Sequence, residues 1–208
     1  MRTLALAEGG TLYNPEDFKP GAFGLSVISG PVGKAVKWGQ AVFAGDDGPY
    51  THAWIILDKG QVIEAEPGGA RIVSVNEYLK HDAIYICDAP VQELVKRQAR
   101  RMDGGVLGDL SDAGAFWKYA EGLFRRNIVE TARSFEGAPY GWLQYPYIGL
   151  AAAGHRWGWL RKAIGNKRVI CSQLVDRVMQ ANEVQLFDDG RWEGEVTPGD
   201  LWTYASGT

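Results

Sequence analysis

The chain has little of what metal-held or disulfide-held proteins need. Its 208 residues include two cysteines, Cys87 and Cys171, and three histidines. Two isolated thiols cannot make a disulfide framework. Neither sits in a C-x-x-C pair and no H-E-x-x-H occurs, so a zinc site is not expected and no metal or organic cofactor is implied. Charge of one sign is also scarce: the formal net charge of -3 gives no electrostatic basis for a nucleic-acid partner or an anionic membrane. Long apolar runs are missing. The longest, Tyr147 to Gly154, falls short of the roughly 20 residues that cross a bilayer, so no stable membrane insertion is expected. The Leu4–Ala7 patch is brief and Glu8 interrupts it, unlike a secretory leader. The expected location is the cytoplasm as synthesised, with carriage in a virus particle as the route out of it.

What is present suits a folded domain with an ample core. No repeat, linker or low-complexity stretch divides the chain. The simplest reading is one α+β domain over 1–208, with 1–20 an irregular lead and 91–165 a helical and aromatic insertion. Phe23 to Ser29 alternates and predicts a strand, and the spacing of Val36, Gln40 and Phe43 predicts a helix over 32–43. Gly45-Asp46-Asp47-Gly48-Pro49 has the glycines of a phosphate cradle. Its adjacent acids and lack of Lys-Ser/Thr make it a plain loop. Arg71–Val75 and Ala83–Cys87 read as strands, with a short helical Asn76-Glu77-Tyr78-Leu79 between them. Cys87 lies among β-favouring apolar residues and reads as inert core. The period turns helical over Val91–Met102 and Ala113–Ser134. Residues 142–160 are rich in aromatics, as a substrate-facing wall or a helical core segment would be. Thr197-Pro198-Gly199-Asp200-Leu201 reads as a turn feeding a last short strand.

The clearest hairpin runs from Ala53–Leu57 through Asp58-Lys59-Gly60 into Gln61–Glu66. A three-residue loop pairs Leu57 with Gln61, sets Trp54 opposite Glu64 and His52 opposite Glu66, and turns His52, Glu64 and Glu66 to one face. A two-residue loop would put Ile63 and Ala65 there instead. Far downstream, Val169-Ile170-Cys171-Ser172-Gln173-Leu174-Val175 leads into a helix with Leu174, Val175, Val178 and Met179 on one side. Cys171 falls in its first turn, where unpaired N–H groups and the helix dipole favour a thiolate. Cys171 as a small buried apolar residue is the competing reading. His155 is a weaker base than His52, because nothing nearby would orient it. A cysteine hydrolase needs a thiolate, an imidazole and a polar group to hold the imidazole's tautomer; Cys171, His52 and Glu64 supply them.

Those three stretches, Tyr50–Leu57, Val62–Ala65 and Val169–Val175, together resemble the permuted NlpC/P60 papain-like amidases of the YiiX/YaeF type. Gly39-Gln40 and Phe135-Glu136-Gly137-Ala138-Pro139-Tyr140 are weaker matches. The resemblance covers roughly residues 20 to 204 and leaves 91–130 and 142–165 unmatched. It implies a circularly permuted papain-like core, a small antiparallel sheet packed against the Cys171 helix. It also implies Cys171 as nucleophile, His52 as base and Glu64 as orienting carboxylate. Glu66 is a second acid in reach, so the choice between Glu64 and Glu66 stays open. The oxyanion would be held by the Cys171 N–H with Tyr140 or Gln40. Gln173 stands where the family often has Glu. The implied activity is hydrolysis of an amide, peptide or ester through an acyl-enzyme, with cell-wall (peptidoglycan) peptide among the substrates. A lipid acyltransferase or thioesterase on the same scaffold is the alternative, although those enzymes typically have a second His where Glu64 sits. A non-catalytic binding module is the third reading.

Overall fold

A computed structural model describes residues 18–28, 48–80, 84–88, 90, 91, 94, 113–152, 154, 155, 158, 159, 162 and 167–207. The helix expected over 32–43, most of that over 91–102, and Gln40 lie outside them. The described chain is α+β, with one five-stranded antiparallel sheet. Its strands are β1 (Phe23–Ser26), β2 (His52–Ile56), β3 (Gln61–Glu66), β4 (Gly69–Ser74) and β5 (Ile84–Cys87), in the order β4-β3-β2-β1-β5. The helices are α1 (Ala113–Arg133), α2 (Gln144–Ala152), α3 (Cys171–Ala181) and α4 (Pro198–Ser206). None of the helices among the described residues is long and apolar enough to cross a membrane.

Strand alternation sorts the side chains into two cores. Phe23, Leu25, Ala53, Ile55, Leu57, Ile63 and Ala65 join Leu174, Val175, Val178 and Met179 in the larger one. Trp54, Ile56, Val62, Ile84 and Ile86 meet Tyr78 in the smaller one. His52 and Glu64 share the parity of Trp54, to which Glu64 is directly opposed. The β2–β3 loop is the three-residue one: Leu57 N–H donates to the Gln61 carbonyl at 2.8 Å. Lys59 and Gly60 take left-handed φ of 57° and 67°, which the reversal of a short hairpin requires.

The ladder corrects one expectation. It runs Ile56↔Val62, Ile55↔Ile63, Trp54↔Glu64 and ends there, so His52 is not paired with Glu66. His52 pairs on its other side with Ser26. Glu66 pairs with Gly69 across the tight Pro67-Gly68 turn, which binds that end of β3 to β4. β4 also begins two residues before its expected start at Arg71. Gly69 has φ +114°, and a Cβ there would lie 2.9 Å from the Ala138 carbonyl oxygen. Only glycine combines that φ with so close a neighbour. The neighbour is a strap: Ala70 N–H donates to the Ala138 carbonyl and Gly137 N–H to the Ala70 carbonyl, each at 2.8 Å.

The second correction is at the C-terminal end. Thr197 to Leu201 starts helix α4 and no strand follows among the described residues. Thr197 is an N-cap accepting from the Asp200 N–H, the Asp200 carboxylate accepts from the Thr197 N–H, and Pro198 opens the helix. That capping box, with a proline that has no N–H to lose, outweighs the turn character of Pro-Gly.

Helix α3 packs on β2 and β3. Its apolar side is fully buried, as the spacing predicts, but Ser172, Gln173, Asp176 and Arg177 are buried as well. The helix is therefore enclosed, and Ser172 Oγ donates to the Val196 carbonyl at 2.6 Å. Leu174, with no exposed surface, is the substitution that tests this core. Leu174→Ala is expected to lower unfolding free energy by about 2–5 kcal/mol, read from the urea midpoint.

Candidate active site

His52 opens β2 and Glu64 lies one diagonal step away on β3. His52 Nε2 donates to Glu64 Oε2 at 2.7 Å, with both side chains almost wholly buried. Of the two carboxylates left open by the sequence, Glu64 is the one that meets the ring. Glu66 is about one-third exposed and pairs with Arg71 at 2.7 Å. The cause is the ladder, which stops before His52 and sends Glu66 toward β4.

Cys171 is the first residue of α3. Ile170 before it has extended backbone and gives no side-chain cap, and the first intrahelical bond runs from Leu174 N–H to the Ile170 carbonyl. The amides of the first turn therefore lie outside the helical ladder, and their partial positive charge favours an anion. Cys171 lies beside the His52 ring and favours its charged form. Since Nε2 is engaged with Glu64, Nδ1 is the nitrogen left for sulfur; it is buried and has no hydrogen-bond partner among the described residues.

Burial opposes charge on His52. The interaction with Cys171, then the hydrogen bond to Glu64, then the negative charge of both outweigh it, and the imidazole pKa is pushed up to about 10. A free imidazole titrates near 6.5. Because the folded value is the higher one, protonation of His52 contributes stability that is fully present below about pH 6.5 and is lost as pH rises through about 10. The His52 ring is expected to keep both protons from about pH 6.5 to about 9, observed by 15N NMR of the imidazole. A ring that titrates near 7 in the intact protein would contradict the ion-pair reading.

Two residues to which the sequence assigns no role complete this cluster. Arg71, the ladder partner of Glu64, donates from Nε to Glu64 Oε1 at 3.0 Å and from Nη2 to the same oxygen at 2.9 Å. The tight Pro67-Gly68 turn would have predicted that pairing. Tyr78, in the 3-10 turn Val75–Lys80, donates its hydroxyl to Glu64 Oε2 and sits 3.1 Å from His52 Nε2. No pattern in the sequence announces it. Burial works against the Glu64 anion, but the hydrogen bond and charge of His52, the Tyr78 hydroxyl and Arg71 lower its pKa below the ordinary value.

His52, Glu64 and Glu66 each bring one ligand atom within 4.8 Å of the others, a spacing that suits a divalent ion. The donor set argues otherwise. Arg71 already supplies a cation to both carboxylates, and the His52 nitrogen facing Glu64 carries a proton rather than an open lone pair.

Tyr140 reaches the site from the strap. It forms a parallel bridge with Val169, two residues before Cys171, secured by Gly141 N–H to the Val169 carbonyl at 3.0 Å. Its hydroxyl shares a 2.6 Å hydrogen bond with that of Tyr145. Burial and then the negative charge at Cys171 raise both phenol pKa values, so both stay hydroxyl donors. The sequence marks Tyr145 only as one aromatic among many. The aromatic stretch divides here: exposed Trp142 stands edge-on to Tyr140, while Tyr147 packs away from the site against Trp192. His155 is exposed. Gln40 lies outside the described residues.

Cys171 and Cys87 are each 4% exposed, so access does not separate the two thiols. Charge does, because only Cys171 has an imidazolium and a helix N-terminus beside it. Iodoacetamide is expected to alkylate Cys171 at least about tenfold faster than Cys87 at neutral pH, followed by peptide mass mapping. Equal rates would remove the case for a thiolate.

Compared with known proteins, the chain matches no family model, no curated protein and no solved structure.

Proposed function

We propose that the protein is a cysteine hydrolase that cleaves an amide or peptide bond through a thioester intermediate, on a permuted papain-like core of the NlpC/P60 kind. The observation that carries this reading is the buried His52, bonded to Glu64 through Nε2, with its Nδ1 unpartnered and Cys171 beside the ring at the start of α3. The Cys171 thiolate attacks the carbonyl carbon; a C–S bond forms and the C=O electron pair moves to oxygen. The Cys171 N–H is aimed at that oxyanion, and the Tyr140 hydroxyl is the side-chain donor in the same neighbourhood. As the tetrahedral species collapses, the C–N bond breaks and His52 Nδ1–H gives its proton to the departing amine. Water then attacks the thioester with His52 as base, and the acid leaves with the thiolate restored. Glu64 stays ionised throughout and stabilises the imidazolium.

A second reading, acyl transfer or thioester cleavage on a lipid-like substrate, draws support from exposed Trp142 and Leu143 beside Tyr140. The deciding experiment labels the native protein with a thiol-reactive acyl probe and then assays peptidoglycan fragments against thioesters. Labelling at Cys171 with turnover of amides supports the proposal. Turnover of thioesters alone selects the second reading, and absence of labelling at Cys171 removes both.

A further inference from the structure

Three donors converge on the Glu64 carboxylate, and two of them, Arg71 and Tyr78, have no part in the three-residue scheme above. Tyr78 is the buried one. It is 4% exposed, with its ring centroid 4.4 Å from that of Trp54 and nearly parallel to His52 at 6.2 Å. A phenylalanine would satisfy that packing. The hydroxyl goes further: it donates to Oε2, the same oxygen that takes His52 Nε2–H, and its own oxygen lies 3.1 Å from Nε2. We infer that Tyr78 is a positioning residue for the proposed hydrolase. Its phenol holds Glu64 as an anion and faces an oxygen to His52 Nε2, which keeps that nitrogen protonated and turns Nδ1 to Cys171.

The chemistry follows from what a buried carboxylate does when short of donors. In an apolar site it lowers its energy by taking a proton, and the nearest proton is on His52. A neutral Glu64 beside a neutral imidazole would end the ion pair with Cys171. The charged and titratable groups facing Glu64 are His52 from β2, Arg71 from β4, Tyr78 from the 3-10 turn, Glu66 on its own strand and, through His52, Cys171 from α3. Arg71 holds Oε1. Only Tyr78 and the imidazole itself hold Oε2 among the described residues. Burial and the Glu64 charge raise the phenol pKa, so Tyr78 remains a donor at any working pH.

This inference rests on the hydrolase reading, and its test has an arm that needs no activity. In a Cys171→Ala protein with 13C-labelled glutamate carboxyls, the Glu64 titration is expected to move to higher pH when Tyr78→Phe is added. It is expected to move to lower pH when Tyr78 is replaced by 3-fluorotyrosine, whose phenol is the stronger donor in an almost unchanged shape. In the protein with Cys171 intact, Tyr78→Phe is expected to lower kcat about ten- to a hundredfold with KM little changed, and to shift the acid limb of kcat upward. An unmoved carboxylate titration in both variants overturns the inference, even if kcat falls, because a packing role alone would give that. If Cys171 is never labelled by the acyl probe while the titration moves as stated, the hydrolase reading fails and the Tyr78–Glu64 coupling stands.

Discussion

Cys171→Ala is expected to reduce turnover of an amide substrate by about 10⁴-fold or more while leaving the thermal transition nearly unchanged. In the proposed mechanism the residue supplies the bond-forming electron pair, and nothing near it in the described structure replaces it: Ser172 is buried and committed to the Val196 carbonyl. Residual rate would come only from binding and the oxyanion donors. Cys171→Ser keeps nearly the same shape but is expected to be almost as poor, because a hydroxyl does not ionise against this imidazole as a thiol does. The check is steady-state kcat on the best substrate from the panel, with melting curves as the fold control. Retained turnover in Cys171→Ala would place the chemistry elsewhere.

Glu64→Gln is expected to lower kcat by about 10³–10⁴-fold, comparable to loss of the orienting carboxylate in a serine triad. Glu66→Gln is expected to stay within about threefold. In the Glu64→Gln variant the new side-chain amide would still reach Nε2 but carries no charge for the imidazolium. Its NH2 group would take the Oε1 position and face the Arg71 guanidinium as one donor meeting another. Arg71 would lose its partner on Oε1, although its half-exposed side chain can turn to water. Glu66 contacts Arg71 at the rim and not the ring. Both variants are compared at one pH between about 7 and 8, where the orienting carboxylate is ionised, for kcat and by near-UV circular dichroism for packing. A crippled Glu66→Gln beside a healthy Glu64→Gln would mean that the side chains exchange roles when substrate binds.

The part of this site legible in the sequence is the part governed by short-range rules. Asp58-Lys59-Gly60 sets the hairpin register, and the register brings Glu64 near His52. The 3.6-residue spacing after Val169 sets Cys171 at a helix start. What stays hidden depends on strands and turns brought in later. Arg71 is within reach of such rules, since a two-residue Pro67-Gly68 turn fixes Glu64↔Arg71 as surely as the earlier loop fixes Trp54↔Glu64. Tyr78 is not, because its place depends on a 3-10 turn folding back across Trp54. The C-terminal helix escapes for a narrower reason: Thr-Pro-Gly-Asp serves equally as turn and as capping box, and local composition cannot choose between them. His52↔Glu66 fails because it extends the pairing past the point where the two strands part.

The two halves of the site are drawn from different ranges of the chain. His52, Glu64, Arg71 and Tyr78 all belong to one continuous stretch in which each strand pairs with the next, so their grouping closes only short loops. Cys171 joins from far along the chain, by docking of α3 on β2 and β3. A chain in which that docking has slipped would keep a well-paired sheet and a buried acid–base cluster with no sulfur to serve. Such a species has near-native strand content and no reactive thiolate, so backbone spectroscopy would count it as folded and only titration of the active thiol would reveal it.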